Sequence, residues 1–176
     1  MGLSIADQYY VKAFDNYPFE IENTVENLSY ALSYDEHHVQ ANCLMGQVQM
    51  YIFKDFKEAT NFFEQALVSS LDYPDTYKHY SRLKIWLGEF DSAWKLINYA
   101  MKVKGMHKGI MLRRKATICE FKGDFESANA FLNDSKIYST DTESTEFIEK
   151  EIKRIKVKMK EVKKNKPTRS AKRARR

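Results

Sequence analysis

Few residues of this 176-residue chain have the type and spacing needed for catalysis or metal binding. The adjacent His37 and His38 lie at a predicted helix junction, where we expect both imidazoles to be solvated. His79 and His107 have no carboxylate or cysteine at the spacing of a metal site. The sequence contains no glycine-rich phosphate loop and no nucleophile motif. It therefore predicts a protein that is not an enzyme and that uses no metal and no cofactor.

The two cysteines, Cys43 and Cys119, are far apart and lie in apolar helical context. This pattern predicts buried free thiols in a reducing compartment rather than a disulfide. The N-terminus lacks a basic segment followed by an apolar core, and no run of about 18 apolar residues occurs. The sequence thus predicts a cytoplasmic protein without a secretory signal or a membrane span.

Charge divides the chain into an acidic body and a basic end. Residues 150–176 contain 14 Lys or Arg and two Glu, a balance of +12, whereas residues 1–149 have a balance of −7. Residues 163–176 contain eight basic residues, none acidic and no large apolar ones, so we expect a disordered tail. The basic residues of this predicted tail are Lys163, Lys164, Lys166, Arg169, Lys172, Arg173, Arg175 and Arg176.

Several roles fit such a tail. It can bind nucleic-acid phosphates through counterion release, an acidic protein surface or a nuclear import receptor, or it can serve only to keep the chain soluble. The separation of charge also suits contact with a second copy of the chain, so a homo-oligomer is compatible with the sequence.

The elements that would position any site recur at a nearly constant interval. Small residues 35, 34 and 35 residues apart are Ala31, Ala66, Ala100 and Ser135. A second set of small residues, 34 and 35 residues apart, consists of Ala59, Ala93 and Ala128. An aromatic residue stands three positions before each of them. This periodicity predicts an all-α solenoid, a stacked array of helical hairpins.

The predicted turns of the hairpins also repeat. Gly88 and Gly123 each precede an acidic residue and an aromatic one, and Lys54 holds the corresponding place in the second hairpin. Glycine can end the incoming helix with a positive φ, and the acidic residue can cap the next helix. Pro74 stands where the first turn of another helix is expected.

The pattern resembles the tetratricopeptide repeat over residues 5–138. The third unit matches that motif at Tyr77, Tyr80, Ser81, Gly88, Phe90, Ala93 and Ala100, and the fourth at Leu112, Ala116, Gly123, Phe125 and Ala128. In the second unit Gly46 lies one residue early, which suggests a one-residue insertion. The first unit matches only at Ala31-Leu32, with Thr24 at a small-residue position. Related helical-hairpin repeats remain an alternative.

This resemblance implies a superhelix of about four hairpins in residues 1–138, whose first helices line a groove for a partner segment. In the first helix the groove positions fall at Tyr9, Ala13 and Tyr17. The groove candidates are Tyr17, Tyr51, Ile52, Lys78, Arg82, Trp86, Arg113 and Phe121. Tyr17, Ile52, Trp86 and Phe121 form an apolar row at spacings of 35, 34 and 35. Such a row more often reflects packing between repeats than a ligand site.

Some members of that family hold a terminal carboxylate with Lys, Asn and Arg side chains. The corresponding positions here are Tyr9, Ala13, Met45, Asp75 and His79, which lack those donors. We therefore expect a scaffold or adaptor that binds a different protein segment. The alternative is a nucleic-acid-associated protein whose tail binds DNA or RNA while the array recruits or oligomerises.

After Tyr138 the repeat stops, and residues 139–162 are predicted to form a capping helix. Thr140 and Glu143 fit a capping box at its start. Its apolar stripe consists of Ile148, Ile152, Ile155, Met159 and Val162. The stripe can pack on the last hairpin, or its distal half can form a short coiled-coil seam with a second chain.

Overall fold

Nine α-helices, joined by short turns, account for most of residues 2–165, the residues that this computed structural model describes. No β-strand occurs in that range, so the predicted all-α class is confirmed there. The helices are α1 (Ile5–Asn16), α2 (Ile21–Tyr34), α3 (Val39–Val48), α4 (Phe56–Ser69), α5 (Pro74–Trp86), α6 (Phe90–Ala100), α7 (Lys108–Phe121), α8 (Phe125–Lys136) and α9 (Thr142–Asn165).

The chain divides into two units, Met1–Met106 and His107–Arg176. Three helical hairpins, α1–α2, α3–α4 and α5–α6, make up the first unit. A fourth hairpin, α7–α8, and the long helix α9 make up the described part of the second unit.

The small residues that recur along the sequence lie inside the hairpins. All seven of them are buried, namely Ala31, Ala59, Ala66, Ala93, Ala100, Ala128 and Ser135. A side chain no larger than a methyl or hydroxymethyl group lets neighbouring helices approach closely, where a longer side chain would separate them. The periodicity that predicts the hairpins therefore reflects helix packing.

The turns inside the hairpins use the left-handed region of the backbone. Gly88 and Gly123 follow α5 and α7 with φ values of +74° and +76°, which glycine adopts without a clash because it has no Cβ. Lys54 adopts a similar φ of 60° before α4. The side chains of Asp55 and Asp124 then accept backbone hydrogen bonds 3.0 Å long that cap α4 and α8.

The second hairpin accommodates one residue more than the third. Gly46 precedes Ala59 by 13 residues, whereas Ser81 precedes Ala93 by 12. A π-helical turn over Gln49–Phe53 follows α3 directly. Because each hydrogen bond of such a turn spans one residue more than in an α-helix, the turn takes up the extra residue. The predicted one-residue insertion thus has a structural counterpart.

Two clusters of buried side chains form the core of the first unit. Leu28 and Leu44 belong to the cluster between α1, α2 and α3, and Phe63 and Leu83 belong to the cluster between α3, α4 and α5. The Phe63 ring lies directly against Gly46, where an added Cβ would be 2.8 Å from the ring. A glycine is required here by packing rather than by its dihedral angles.

In the second unit, α9 packs on α8 through the first half of its apolar stripe. Ile148, Ile152 and Ile155 are buried, Met159 is half-buried and Val162 is exposed. The first half is therefore a packing surface, as one of the two alternatives predicts. The distal half is more exposed, and the proposed coiled-coil seam there stays a prediction.

Two details of α9 differ from the sequence-based predictions. Asp141 rather than Thr140 caps the helix, since its carboxylate accepts a 2.7 Å hydrogen bond from the Ser144 backbone N–H. The helix also continues to Asn165, so Lys163 and Lys164 are helical rather than part of a disordered tail. Neither α9 nor any other helix within residues 2–165 combines the length and apolar character needed to cross a membrane.

Candidate partner-binding groove

The first helices of the three hairpins in the first unit surround a cleft of about 250 Å³, here named the first-unit cleft. Residues of α1, α3 and α5, together with residues adjoining α1 and α5, line it: Tyr10, Phe14, Tyr17, Gln40, Leu44, Gln47, Tyr73, Asp75, Lys78 and His79. The lining combines aromatic rings with amide, carboxylate, ammonium and imidazole groups. Such a mixture can bury one apolar side chain of a ligand and fix its orientation through hydrogen bonds.

The phenols of the first-unit cleft are held in their neutral form. Burial raises the pKa of Tyr10, and burial together with the neighbouring Tyr51 raises the pKa of Tyr17. Burial raises the pKa of Tyr73 as well. Each hydroxyl therefore keeps its proton at neutral pH and can donate or accept a hydrogen bond.

Tyr51, from the π-helical turn, links the first-unit cleft to a more exposed group on α5. Its hydroxyl lies 2.9 Å from Nδ1 of the cleft residue His79. Arg82 donates a long hydrogen bond of 3.5 Å to the same hydroxyl, and its guanidinium lies 6.0 Å from the centroid of the Tyr51 ring. These contacts position an exposed guanidinium next to the cleft.

Trp86 lies at the end of α5 and remains half exposed despite two aromatic contacts. Its ring is edge-to-face with Tyr51 at a centroid distance of 5.9 Å, and with Phe56 at 6.2 Å. The side chain is 51% exposed. Large aromatic side chains that are held by neighbours yet accessible from outside are typical of residues that contribute strongly to binding.

Charge in the first-unit cleft is partly neutralised within α5. The Nζ atom of Lys78 lies 3.5 Å from a carboxylate oxygen of Asp75. Both side chains are close to half exposed, so this ion pair is weak and either group can exchange its partner for a ligand.

Five of the eight predicted groove residues, Tyr17, Tyr51, Lys78, Arg82 and Trp86, lie in the first unit in or beside the first-unit cleft. Ile52 is exposed on the π-helical turn and is not part of the cleft lining. Arg113 and Phe121 belong to the second unit. There the Arg113 guanidinium lies 5.7 Å from the Phe147 ring centroid, and Phe121 is exposed.

The α1 residues that line the first-unit cleft differ from those that the sequence predicts. The sequence predicts Tyr9 and Ala13, but Ala13 is buried and Tyr9 packs against Tyr30 and Tyr34 of α2. The cleft is lined instead by Tyr10 and Phe14. The signal that could have located them is the aromatic spacing of four and three residues, Tyr10, Phe14 and Tyr17, which places three rings on one helix face.

Only two of the predicted tail residues can be placed. Lys163 and Lys164 are exposed near the end of α9. The other six, Lys166, Arg169, Lys172, Arg173, Arg175 and Arg176, lie outside the described residues.

One prediction about histidine is wrong. His37 is exposed as expected, but His38 is buried, with 6% of its surface accessible. Its Nδ1 accepts a hydrogen bond from the Ala41 backbone N–H, which caps α3, and its Nε2 lies 3.1 Å from the Asp7 carboxylate. His38 therefore has a structural role in joining α1 to α3.

The cysteines and the metal-ligand residue types were also located in the described part of the chain. Cys43 and Cys119 are buried free thiols, and burial raises the pKa of Cys43 to about 12. A thiol with such a pKa is almost fully protonated at neutral pH and is a poor nucleophile. Within residues 2–165, no group of three or more His, Cys, Asp or Glu side chains is placed to hold a metal ion.

Comparison with known proteins yields matches in structure alone. No family model matches the chain, and no curated protein does. The structure is similar to that of the pilF protein of Pseudomonas aeruginosa, with a TM-score of 0.77 and 14% identity over 89% of this chain and 70% of that one. It is also similar to PilW, a type IV pilus biogenesis factor, with a TM-score of 0.69 and 18% identity. That match covers 76% of this chain and 62% of PilW.

A third similar structure is a tetratricopeptide repeat protein from Parabacteroides merdae, with a TM-score of 0.63 and 14% identity. The match covers 91% of this chain and 68% of that protein. At these identities the comparisons establish the fold, an all-α solenoid of tetratricopeptide-like hairpins, as the repeat spacing predicts.

Proposed function

We propose that this chain, which has the fold of the tetratricopeptide repeat proteins, is a non-catalytic cytoplasmic scaffold or adaptor that binds a segment of a partner protein. The first-unit cleft, with Arg82 and Trp86 beside it, is the binding site. The observation that carries this proposal is that three successive hairpins contribute side chains to one cleft. A fold built of such hairpins offers an extended surface rather than a closed active site.

The chemistry of the site indicates what the partner segment contains. A cleft of about 250 Å³ lined by Tyr10, Phe14 and Tyr17 suits one aromatic or large aliphatic side chain. Exposed Arg82 suits a carboxylate, because a guanidinium and a carboxylate form charge-assisted hydrogen bonds. We therefore expect the partner segment to combine an apolar anchor with a nearby Asp or Glu.

The test uses the full chain and a library of random peptides displayed on phage. Selected peptides should share an aromatic or aliphatic anchor and an acidic residue. The double substitution R82A/W86A should weaken their binding by about 2 kcal/mol or more, a factor of roughly 30, because both side chains are accessible and lie beside the cleft. Isothermal titration with synthetic peptides measures this change.

The matched control is F19A/K102A, which removes one exposed aromatic and one exposed basic side chain elsewhere in the first unit. This variant should bind the peptides normally, and circular dichroism should show equal helicity in all three proteins. Peptides that bind R82A/W86A as well as the unsubstituted chain would contradict the assignment of the groove.

A second candidate function is binding of DNA or RNA through residues 163–176. Its support is the charge of the segment together with the exposure of Lys163 and Lys164. It predicts an affinity for labelled duplexes that falls steeply with salt and is lost when residues 163–176 are deleted. Salt-independent binding, or none, would argue against it.

A further inference from the structure

One side of α2 carries an exposed row of acidic and aromatic side chains. Glu22, Glu26, Tyr30 and Tyr34 follow one another at intervals of four residues, so they occupy one side of the helix. All four are exposed, and Tyr30 and Tyr34 are accessible over 46% and 58% of their surface. These four residues are named the α2 face.

The rings of the α2 face are held in place by α1. Tyr9 stacks on Tyr34 at a centroid distance of 5.8 Å and contacts Tyr30 at 5.1 Å. The ammonium group of Lys12 lies 5.0 Å from the centroid of the Tyr9 ring. The tyrosine cluster therefore already accommodates a lysine of its own chain, through the attraction between a cation and the face of an aromatic ring.

The two carboxylates of the α2 face have no Lys or Arg partner among the described residues. Residues 13–53 contain six Asp or Glu and no Lys or Arg, and all six acidic side chains are exposed. Within residues 2–165, neither Glu22 nor Glu26 has a Lys or Arg within ion-pair distance. The first hairpin consequently presents unneutralised negative charge beside exposed rings.

Helix α9 carries the complementary row. Lys153, Lys156, Val157 and Lys160 are exposed and lie on one side of the helix. None of the three lysines has a carboxylate within ion-pair distance among the described residues. These four residues are named the α9 face.

We propose that the α2 face of one molecule binds the α9 face of a second copy of this chain. Lysines would meet glutamates, and Val157 with the lysine stems would cover the tyrosine rings. Because the two faces differ, the contact is heterologous: it leaves a free α9 face on one molecule and a free α2 face on the other, so assembly continues into chains or rings. A second copy supplies the negative charge that suits the α9 face, because residues 1–149 carry a charge of −7. Binding of a nucleic acid to the same lysines is a separate outcome of the test.

The contact joins two single helix faces, so it is small and dominated by charge. We expect weak association in the micromolar range that declines with salt, because exposed charges are screened within about 8 Å at physiological ionic strength. This inference goes beyond the proposed function and leaves the first-unit cleft unoccupied.

The experiment uses two full-length variants with complementary defects. E22Q/E26Q removes the charge of the α2 face, and K153Q/K156Q/K160Q removes the charge of the α9 face, in both cases with residues that favour helix. Sedimentation velocity at low salt should show concentration-dependent assembly of the unsubstituted chain. Each variant alone should need at least tenfold more protein for the same degree of assembly.

Mixing the two variants restores one intact pair of faces, so the mixture should form a 1:1 complex and nothing larger. The control K57Q/K102Q/K104Q removes three exposed lysines from the first unit and should assemble like the unsubstituted chain. A chain that stays monomeric at all concentrations would overturn the proposal. Assembly that neither variant weakens would also overturn the proposal. Binding of labelled duplex DNA or RNA to the lysines of the α9 face, in a chain that stays monomeric, would overturn it as well.

Discussion

Glu120 of α7 is the residue at which cations of α9 converge in the second unit. Both guanidinium nitrogens Nη1 and Nη2 of Arg154 donate to its carboxylate, and Nζ of Lys158 lies 2.6 Å from Oε1. Arg154 also donates to Glu151 of its own helix. The hydrogen bonds from Arg154, followed by those from Lys158, lower the pKa of Glu120.

This shift predicts how acid affects the second unit. Because the pKa of Glu120 is lower in the folded than in the unfolded chain, its stabilisation is complete above the unfolded value of about 4.3 and is lost as the pH falls through the folded value. E120Q should reduce the free energy of unfolding by about 1 kcal/mol at pH 7, since solvent screens this partly exposed group. Urea denaturation measures the effect.

The same comparison at pH 3 provides the check on this prediction. That pH lies below the unfolded pKa of a glutamate, so part of the stabilisation from the charge is lost and the difference between E120Q and the unsubstituted chain should shrink. A difference of equal size at both pH values would mean that shape rather than charge accounts for the loss.

Single residues also show where sequence reasoning reaches its limit. Arg82 and Trp86 are predicted as groove residues from the third repeat, whose register is clear, and Tyr51 from the second. In the structure Tyr51 contacts both Arg82 and Trp86. Tyr10 and Phe14 were missed because the first repeat lacks the small residues that define its phase. The role of His38 depends on Asp7, 31 residues earlier, and no local pattern indicates that contact.

At the scale of elements, Lys54 is an exception among the turns. It adopts φ of 60° at the place where the third and fourth hairpins have glycine, and a Cβ in this region is strained. K54G should therefore stabilise the chain by roughly 0.5 kcal/mol, the relief of strain being partly offset by the greater freedom of glycine in the unfolded chain. Thermal denaturation followed by circular dichroism measures the change.

The reciprocal substitution at the equivalent turn gives the matched control. Gly88 has φ of +74° and open space around it, so G88A introduces strain without a steric clash and should destabilise the chain by about 1 kcal/mol. If K54G destabilised the chain as well, the contacts of the Lys54 side chain would have to stabilise the fold by more than the strain at its positive φ destabilises it.

Most elements were predictable because helix packing and turn chemistry leave local marks. Buried alanines at a fixed interval located the hairpins, and Gly-acid-aromatic triplets located the turns. The end of α9 was not predictable from composition: Lys163 and Lys164 have good helix propensity, but charge alone suggested a tail. The predicted capping residue of α9, Thr140, is one position before the observed one, Asp141. Sequence alone does not distinguish them, because both residue types are good caps.

At the scale of the whole molecule, the division into two units predicts that the first can fold by itself. Residues 1–106 contain three hairpins and both buried clusters that surround Leu28 and Phe63. The fragment 1–106 should therefore be helical, should unfold cooperatively in urea and should keep the peptide affinity of the full chain within about threefold. This follows from nearest-neighbour stability in repeat arrays.

The fragment 1–106 also separates two of the inferences. It keeps the α2 face but lacks the α9 face, so it should bind peptides and remain monomeric where the full chain assembles. A fragment with the circular dichroism of a random coil would show that the first unit depends on residues beyond 106.

The π-helical turn at Gln49–Phe53 has a consequence for how this chain can change over generations. Gain or loss of one codon within the turn would alter the local winding, while Phe63 could still reach Gly46 and α4 could keep its contacts. Homologous chains should thus vary in length by one residue in the second hairpin far more often than in the third or fourth. No π-helical turn occurs between residues 74 and 136 that could absorb such a change.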